Sequence, residues 1–141
     1  MTLQEILDLV EKNSDIPADL DKASRAIPQL HARFINLKAQ ENSQMQALKL
    51  QFDEVYRDTW VFYSGKAEPK VYKENNFDLR LLKGDIDKFI NADPELMKIK
   101  SKIEMQKIKI EAIDEFIKGL HSRQWNIKNI LDYLKYTQGL I

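Results

Sequence analysis

Arg57, Trp60, Tyr63 and Lys66 follow one another at steps of three in the stretch YRDTWVFYSGK, residues 56–66. On a helix, residues three apart are neighbours on successive turns. Two cations and two rings within reach of one another suit one chemistry well. Single-stranded nucleic acid is held by cations for its phosphates and by flat rings for its bases. A plainer reading stands beside it, with Trp60, Phe62 and Tyr63 as core and Arg57 paired to Asp53 or Asp58. Half of a phosphate-binding loop is a third reading, and it fails. That motif is G-x-x-x-x-G-K-[ST] after a strand; its first glycine would fall at Trp60, and Ala67 stands where the hydroxyl belongs.

Other chemistry finds little support. His31 and His121 are the only histidines, far apart in sequence and with no partner at ligand spacing. The acid pairs Asp53-Glu54 and Asp114-Glu115 read as solvated helix faces, because a carboxylate pair does acid–base work only in a dry cleft. An enzyme is not expected, nor a cofactor or a metal. A second basic segment is Lys98, Lys100, Lys102, Lys107 and Lys109 against Glu104, five charges less one, or +4 over residues 98–109. Such a run is ordinarily a solvated face, and a ring of subunits would multiply its charge.

The elements that must position these residues read as helices. Thr2-Leu3-Gln4-Glu5 fits a capping box, and Asn13-Ser14-Asp15-Ile16-Pro17 stops the helix that follows. Asp19 to Ala26 reads as a short helix or turn. Pro28 suits the first turn of a long helix over residues 28–64. Its seam steps 3-4 through Ile27, Leu30, Phe34 and Leu37, and again from Met45 to Phe62, as in coiled coils. Between them Leu37, Glu41 and Met45 step 4-4, a stutter in a polar stretch where the seam should be weakest. Residues 66–77 read as a loop, with Gly65 closing the long helix. Asp78 could cap a helix from Leu79 to Ile90. Asp93-Pro94-Glu95 starts another, whose seam runs Leu96, Ile99, Ile103, Gln106, Ile110, Ile113, Ile117 and Leu120. The pattern breaks at His121-Ser122-Arg123-Gln124, and a last helix is expected from Trp125 to about Gln138.

The bulk composition agrees. The chain has 141 residues, 31% charged and 43% hydrophobic, with four Gly, four Pro and no Cys. That is the composition of long helices. Net charge is zero, from 22 basic and 22 acidic residues, whereas a duplex-DNA binder usually declares itself with a clearly basic domain. The missing cysteines exclude disulfides and thiolate metal sites. No signal peptide or membrane span is legible, so the chain is read as cytosolic. The expected fold is all-α, a single domain of long helical hairpins. Two apolar seams are much for 141 residues to bury alone, which points to self-association.

Several motifs in order resemble the UvsY family of phage recombination mediators. They are Ile27-Pro28-Gln29-Leu30-His31 at the opening of the long helix, Tyr63-Ser64-Gly65-Lys66 at its end, Ala92-Asp93 with Leu96, and Ser122-Arg123, Trp125, Ile127-Lys128, Ile130 and Asp132. The resemblance implies a non-enzymatic protein that binds single-stranded DNA. It implies the loading of a RecA-like phage recombinase onto DNA coated by the phage single-stranded DNA-binding protein, in the cytoplasm of the infected bacterial host. It also implies a homo-oligomeric ring of six or seven subunits. The family's Leu-Lys-Ala-Arg-x-Asp-Tyr-Tyr DNA segment falls on this chain with Tyr56 for the leucine and Arg57 for the lysine. Thr59 takes the place of the arginine and drops its charge, Val61 that of the aspartate, and Phe62 and Tyr63 those of the tyrosines. Lys66, Lys70 or Lys73 would then supply the missing cation. Gln124 replaces the family's glycine after Ser-Arg. The expected DNA-contacting set is Arg57, Trp60, Tyr63, Lys66 and Lys70. The expected subunit contact is the seam of Ile99, Ile103, Ile110, Ile113, Ile117 and Leu120. The alternative from another class is a structural coiled-coil scaffold without DNA-binding activity.

Overall fold

A computed structural model describes residues 1–75, 77 and 80–139. Among them are five helices and no strand: α1 (Leu3–Lys12), α2 (Leu20–Tyr63), α3 (Pro69–Glu74), α4 (Lys83–Asn91) and α5 (Pro94–Thr137). The all-α expectation holds. The capping box at Thr2 forms in full, with Glu5 N donating to Thr2 Oγ1 and Thr2 N donating to Glu5 Oε2.

Several boundaries differ from the expectation. The long helix does not open at Pro28 but at Leu20, where Asp19 Oδ1 accepts from Lys22 N. Pro28 lies inside it, and the one backbone hydrogen bond it forgoes is offset by the burial of Ala23 and Ile27 against Ile127. The loop over 66–77 contains the short helix α3. Helix α4 begins only at Lys83; the expected cap Asp78 and start Leu79 lie outside the described residues. No break occurs at His121-Ser122-Arg123-Gln124, because α5 runs through it for 44 residues. Gln124, where the family glycine would end a helix, simply continues one.

The chain divides into two compact units. One holds residues 1–43 and 106–141, the other residues 44–105. In the first, α1 and parts of α2 and α5 share a core of Ile6, Phe34, Leu37, Ile113, Phe116, Ile117 and Leu120. The rings of Phe34 and Phe116 lie 4.1 Å apart. Contacts pair Ile27 with Ile127, Phe34 with Phe116 and Lys38 with Asp114. Numbers rise on α2 as they fall on α5, so the two segments are antiparallel. Each large side chain buried here contributes roughly 1.5–3 kcal/mol.

Two polar devices complete this unit. At the stutter, Glu41 is almost wholly buried. Gln106 Nε2 donates to its Oε2 at 2.7 Å, and Lys109 Nζ reaches the same oxygen at 2.9 Å. Burial alone would raise the Glu41 carboxyl. The hydrogen bonds from Lys109 and Gln106, with the nearby positive charges, outweigh it and hold the group below its ordinary value. The second device is Arg123, also buried, whose Nη2 donates to Asn13 O at 2.7 Å. It thereby binds a carbonyl at the C-terminal cap of α1, where a cation is favoured.

Candidate nucleic-acid interface

The second unit contains the residues singled out for nucleic acid. Helix α2 ends there in a Schellman arrangement: Lys66 N donates to Val61 O and Gly65 N to Phe62 O. Gly65 takes φ +80° with nothing near its missing Cβ, so the left-handed backbone and not a lack of space calls for glycine. The reversal brings Lys66 back along the helix, and its Nζ sits 4.7 Å from the centre of the Trp60 ring. Trp60 is 39% exposed. Tyr56, one turn earlier on the same flank, is 38% exposed. Arg57 projects into solvent beside Asp58, with Nε 3.5 Å from Oδ1. Lys70 is exposed on α3 with Glu74 3.9 Å away.

Tyr63 is not part of this exposed group. Its hydroxyl donates to Asp93 Oδ2 at 3.0 Å, and Asp93 Oδ1 accepts from the Glu95 and Leu96 amides that open α5. Burial, then the hydrogen bond and charge of Asp93, push the Tyr63 phenol up to about 12. Its ring joins a cluster with Phe62, Phe77 and Phe89. Tyr72 stacks on Phe62, donates its hydroxyl to Phe62 O at 2.7 Å and accepts from Ala67 N. The Tyr-Ser-Gly-Lys motif is therefore a helix end locked by aromatics, with Tyr63 as its anchor.

The structure thus brings Trp60, Lys66 and Arg57 to one end of α2 and turns Tyr63 inward. Thr59, which replaces the family arginine, is buried. Tyr56 stands one turn before Trp60, and that spacing is the signal in the sequence for its place beside the indole. The two histidines come together, with ring centres 5.6 Å apart, yet no group of three metal-ligating side chains exists among the described residues. Of the expected subunit-contact seam, Ile99, Ile113, Ile117 and Leu120 are buried within the chain itself, and Ile103 and Ile110 are half-buried.

A family model described as "Recombination, repair and ssDNA binding protein UvsY" matches residues 9–140. The chain belongs to the UvsY family. Membership places it among recombination and repair proteins. Crystal structures of the bacteriophage T4 recombination mediator protein UvsY share the fold. One matches with a TM-score of 0.84 at 18% identity, covering 98% of each chain. Another gives 0.82 at 17% identity over 94% of this chain and 98% of the other, and a third 0.80 at 16% over 97% and 99%. A comparison with curated proteins finds no match. At such identity the likeness carries the fold alone, so the site of this UvsY-family chain rests on its own side chains. No helix among its described residues is long and apolar enough to cross a membrane.

Proposed function

We propose that this UvsY-family protein is a non-enzymatic recombination mediator, working in the cytoplasm of an infected host as a homo-oligomer of six or seven copies. It binds single-stranded DNA and promotes loading of a RecA-like recombinase onto DNA coated by single-stranded DNA-binding protein. The observation that carries this reading is the half-exposed Trp60 with Lys66 stacked upon it and Arg57 on the preceding turn, in a chain whose family is described as binding single-stranded DNA. A base can stack on the indole while the two cations neutralise neighbouring phosphates. One such patch is weak, and repetition around an oligomer raises its avidity. Lys70, held beside Glu74, contributes less.

Anisotropy of labelled oligo-dT tests the proposal. Affinity should fall steeply with salt through counterion release. Arg57→Ala with Lys66→Ala should lower both affinity and salt slope, the slope by about one for each phosphate contact removed, and leave the oligomer intact. Wild-type protein without salt-sensitive affinity for oligo-dT would leave the coiled-coil scaffold as the better reading.

A further inference from the structure

The chain has two tryptophans, and each carries a lysine over its ring. Lys66 covers Trp60 at one end of α2. On α5, Lys128 Nζ lies 5.3 Å from the centre of the Trp125 ring. Trp125 is 65% exposed, more than Trp60. Among the described residues Lys128 stands over the ring, and most of the indole is left in water.

Three features show what would cover it. The first is charge. Arg123 is buried at the end of α1, and from Gln124 to Gly139 the chain carries Lys128 and Lys135 against Asp132, two less one, or +1. The second is sidedness. Successive residues on a helix turn by about 100°, so Trp125 and Ile127 face opposite ways. Ile127 is buried against Ala23 and Ile27, and Ile130, Leu131 and Leu134 continue on its side. At Ile127 protein contacts take one flank of α5, and the tryptophan lies on the other. The third is repetition along that flank. Tyr136, 74% exposed, stands three turns beyond Trp125 and aligned with it. Exposed rings interleaved with Lys128 and Lys135 match an anionic ligand with flat faces, not an apolar one.

We propose that Trp125 and Lys128 form a second contact for single-stranded DNA, apart from the Trp60 site. The indole stacks on a base, and the Lys128 ammonium meets the adjoining phosphate. Asp132, one turn past Lys128 on the same flank, opposes the strand and limits its affinity. The inference rests on the reading that the chain binds single-stranded DNA, and it adds where a strand would also touch.

The two tryptophans allow a direct test. In full-length Trp60→Phe protein, Trp125 is the sole indole reporter. Titration with oligo-dT should quench its emission saturably, in parallel with anisotropy of the labelled oligonucleotide, and added salt should restore it. Trp125→Ala with Lys128→Ala should weaken binding about tenfold or more, while Trp125→Phe, which keeps a ring, recovers most of it. Asp132→Asn should tighten binding. Oligo-dT that binds while Trp125 emission stays flat and the double variant matches wild type overturns the inference and leaves the proposed function standing. Emission that responds to protein dilution but not to DNA assigns Trp125 to a contact between copies and overturns it too. Failure of wild-type protein to bind oligo-dT overturns both.

Discussion

Tyr63 shows how one side chain of a motif can be engaged inside the fold. Its spacing from Trp60 suggested a stacking ring, and its hydroxyl instead anchors the residue that caps α5. Spacing alone could not separate the two roles, because the difference lies in Asp93, 30 residues on. Tyr63→Phe should lose about 1 kcal/mol through the missing hydrogen bond, read by urea unfolding, with oligo-dT affinity nearly unchanged. The phenol adds a pH signature. Its folded pKa is about 12 against an ordinary 10.0. A raised value means that the stability it brings is complete below the ordinary value and is lost as pH rises towards the folded one. Between those limits wild type should lose stability that Tyr63→Phe does not. Thr59 gives a second case. Restoring the family's charge with Thr59→Arg looks from the sequence like a repair of the DNA surface. The position is 7% exposed, so the guanidinium must displace core or drag water inward. We expect a loss of about 2 kcal/mol or more in thermal or urea melts, without tighter oligo-dT binding. A tighter, equally stable variant would mean that Thr59 faces the DNA after all.

Among the elements, the two long helices were legible because their apolar residues repeat at 3-4 steps for many turns, and tertiary packing uses that stripe as it stands. Sequence and structure part where local signals compete with packing. Pro28 is a sound helix starter, but buried Ala23 and Ile27 extend the helix ahead of it. The polar run His121–Gln124 reads as a break only until Arg123 is seen to serve the end of α1 from within α5. The 4-4 stutter is legible at Glu41 in the sequence, and the polar network that fills it is not. Glu41, Gln106 and Lys109 form a closed polar network, and no buried side-chain polar atom among the described residues lacks a partner. Desolvation offsets much of what a buried pair of this kind gains by its attraction. Removing one partner leaves a buried charge, so Glu41→Gln should cost about 3–5 kcal/mol at neutral pH. The folded pKa of Glu41 lies below its ordinary value. Its contribution is therefore present above the ordinary carboxylate range and disappears as pH falls through the folded value. The gap between wild type and Glu41→Gln in urea unfolding should narrow in acid. A gap that stays constant from neutral pH to about pH 3 would show that the carboxylate charge is not what stabilises the network.

For the whole molecule, assembly turns on which apolar surface remains once the chain has packed on itself. Ile113, Ile117 and Leu120 are spent on the intramolecular core with Ile6 and Phe34. A sequence shows that a stripe exists and not which partner takes it, so a seam shared between copies and one shared within a copy look alike. The structure leaves a different candidate. Past Ile127 the apolar flank of α5 continues through Ile130, Leu131 and Leu134, each between 37% and 41% exposed, within about 100° of arc. Little more than one turn of apolar helix in water, on a protein proposed to form rings, is the candidate contact for a second copy. The two stripes give opposite outcomes. Ile117→Asp puts a charge in the subunit core and should yield unfolded chain by circular dichroism. Ile130→Asp with Leu134→Asp touches only the exposed stripe and should yield folded, helical monomers by light scattering. Those monomers should bind oligo-dT about 100-fold more weakly, since avidity is lost while each patch is intact. They should also keep the quenching of Trp125 at high protein concentration, because that ring lies on the other flank. If the double variant keeps the mass of wild type, the ring is held elsewhere, and the half-buried Ile103 and Ile110 become the residues to change next.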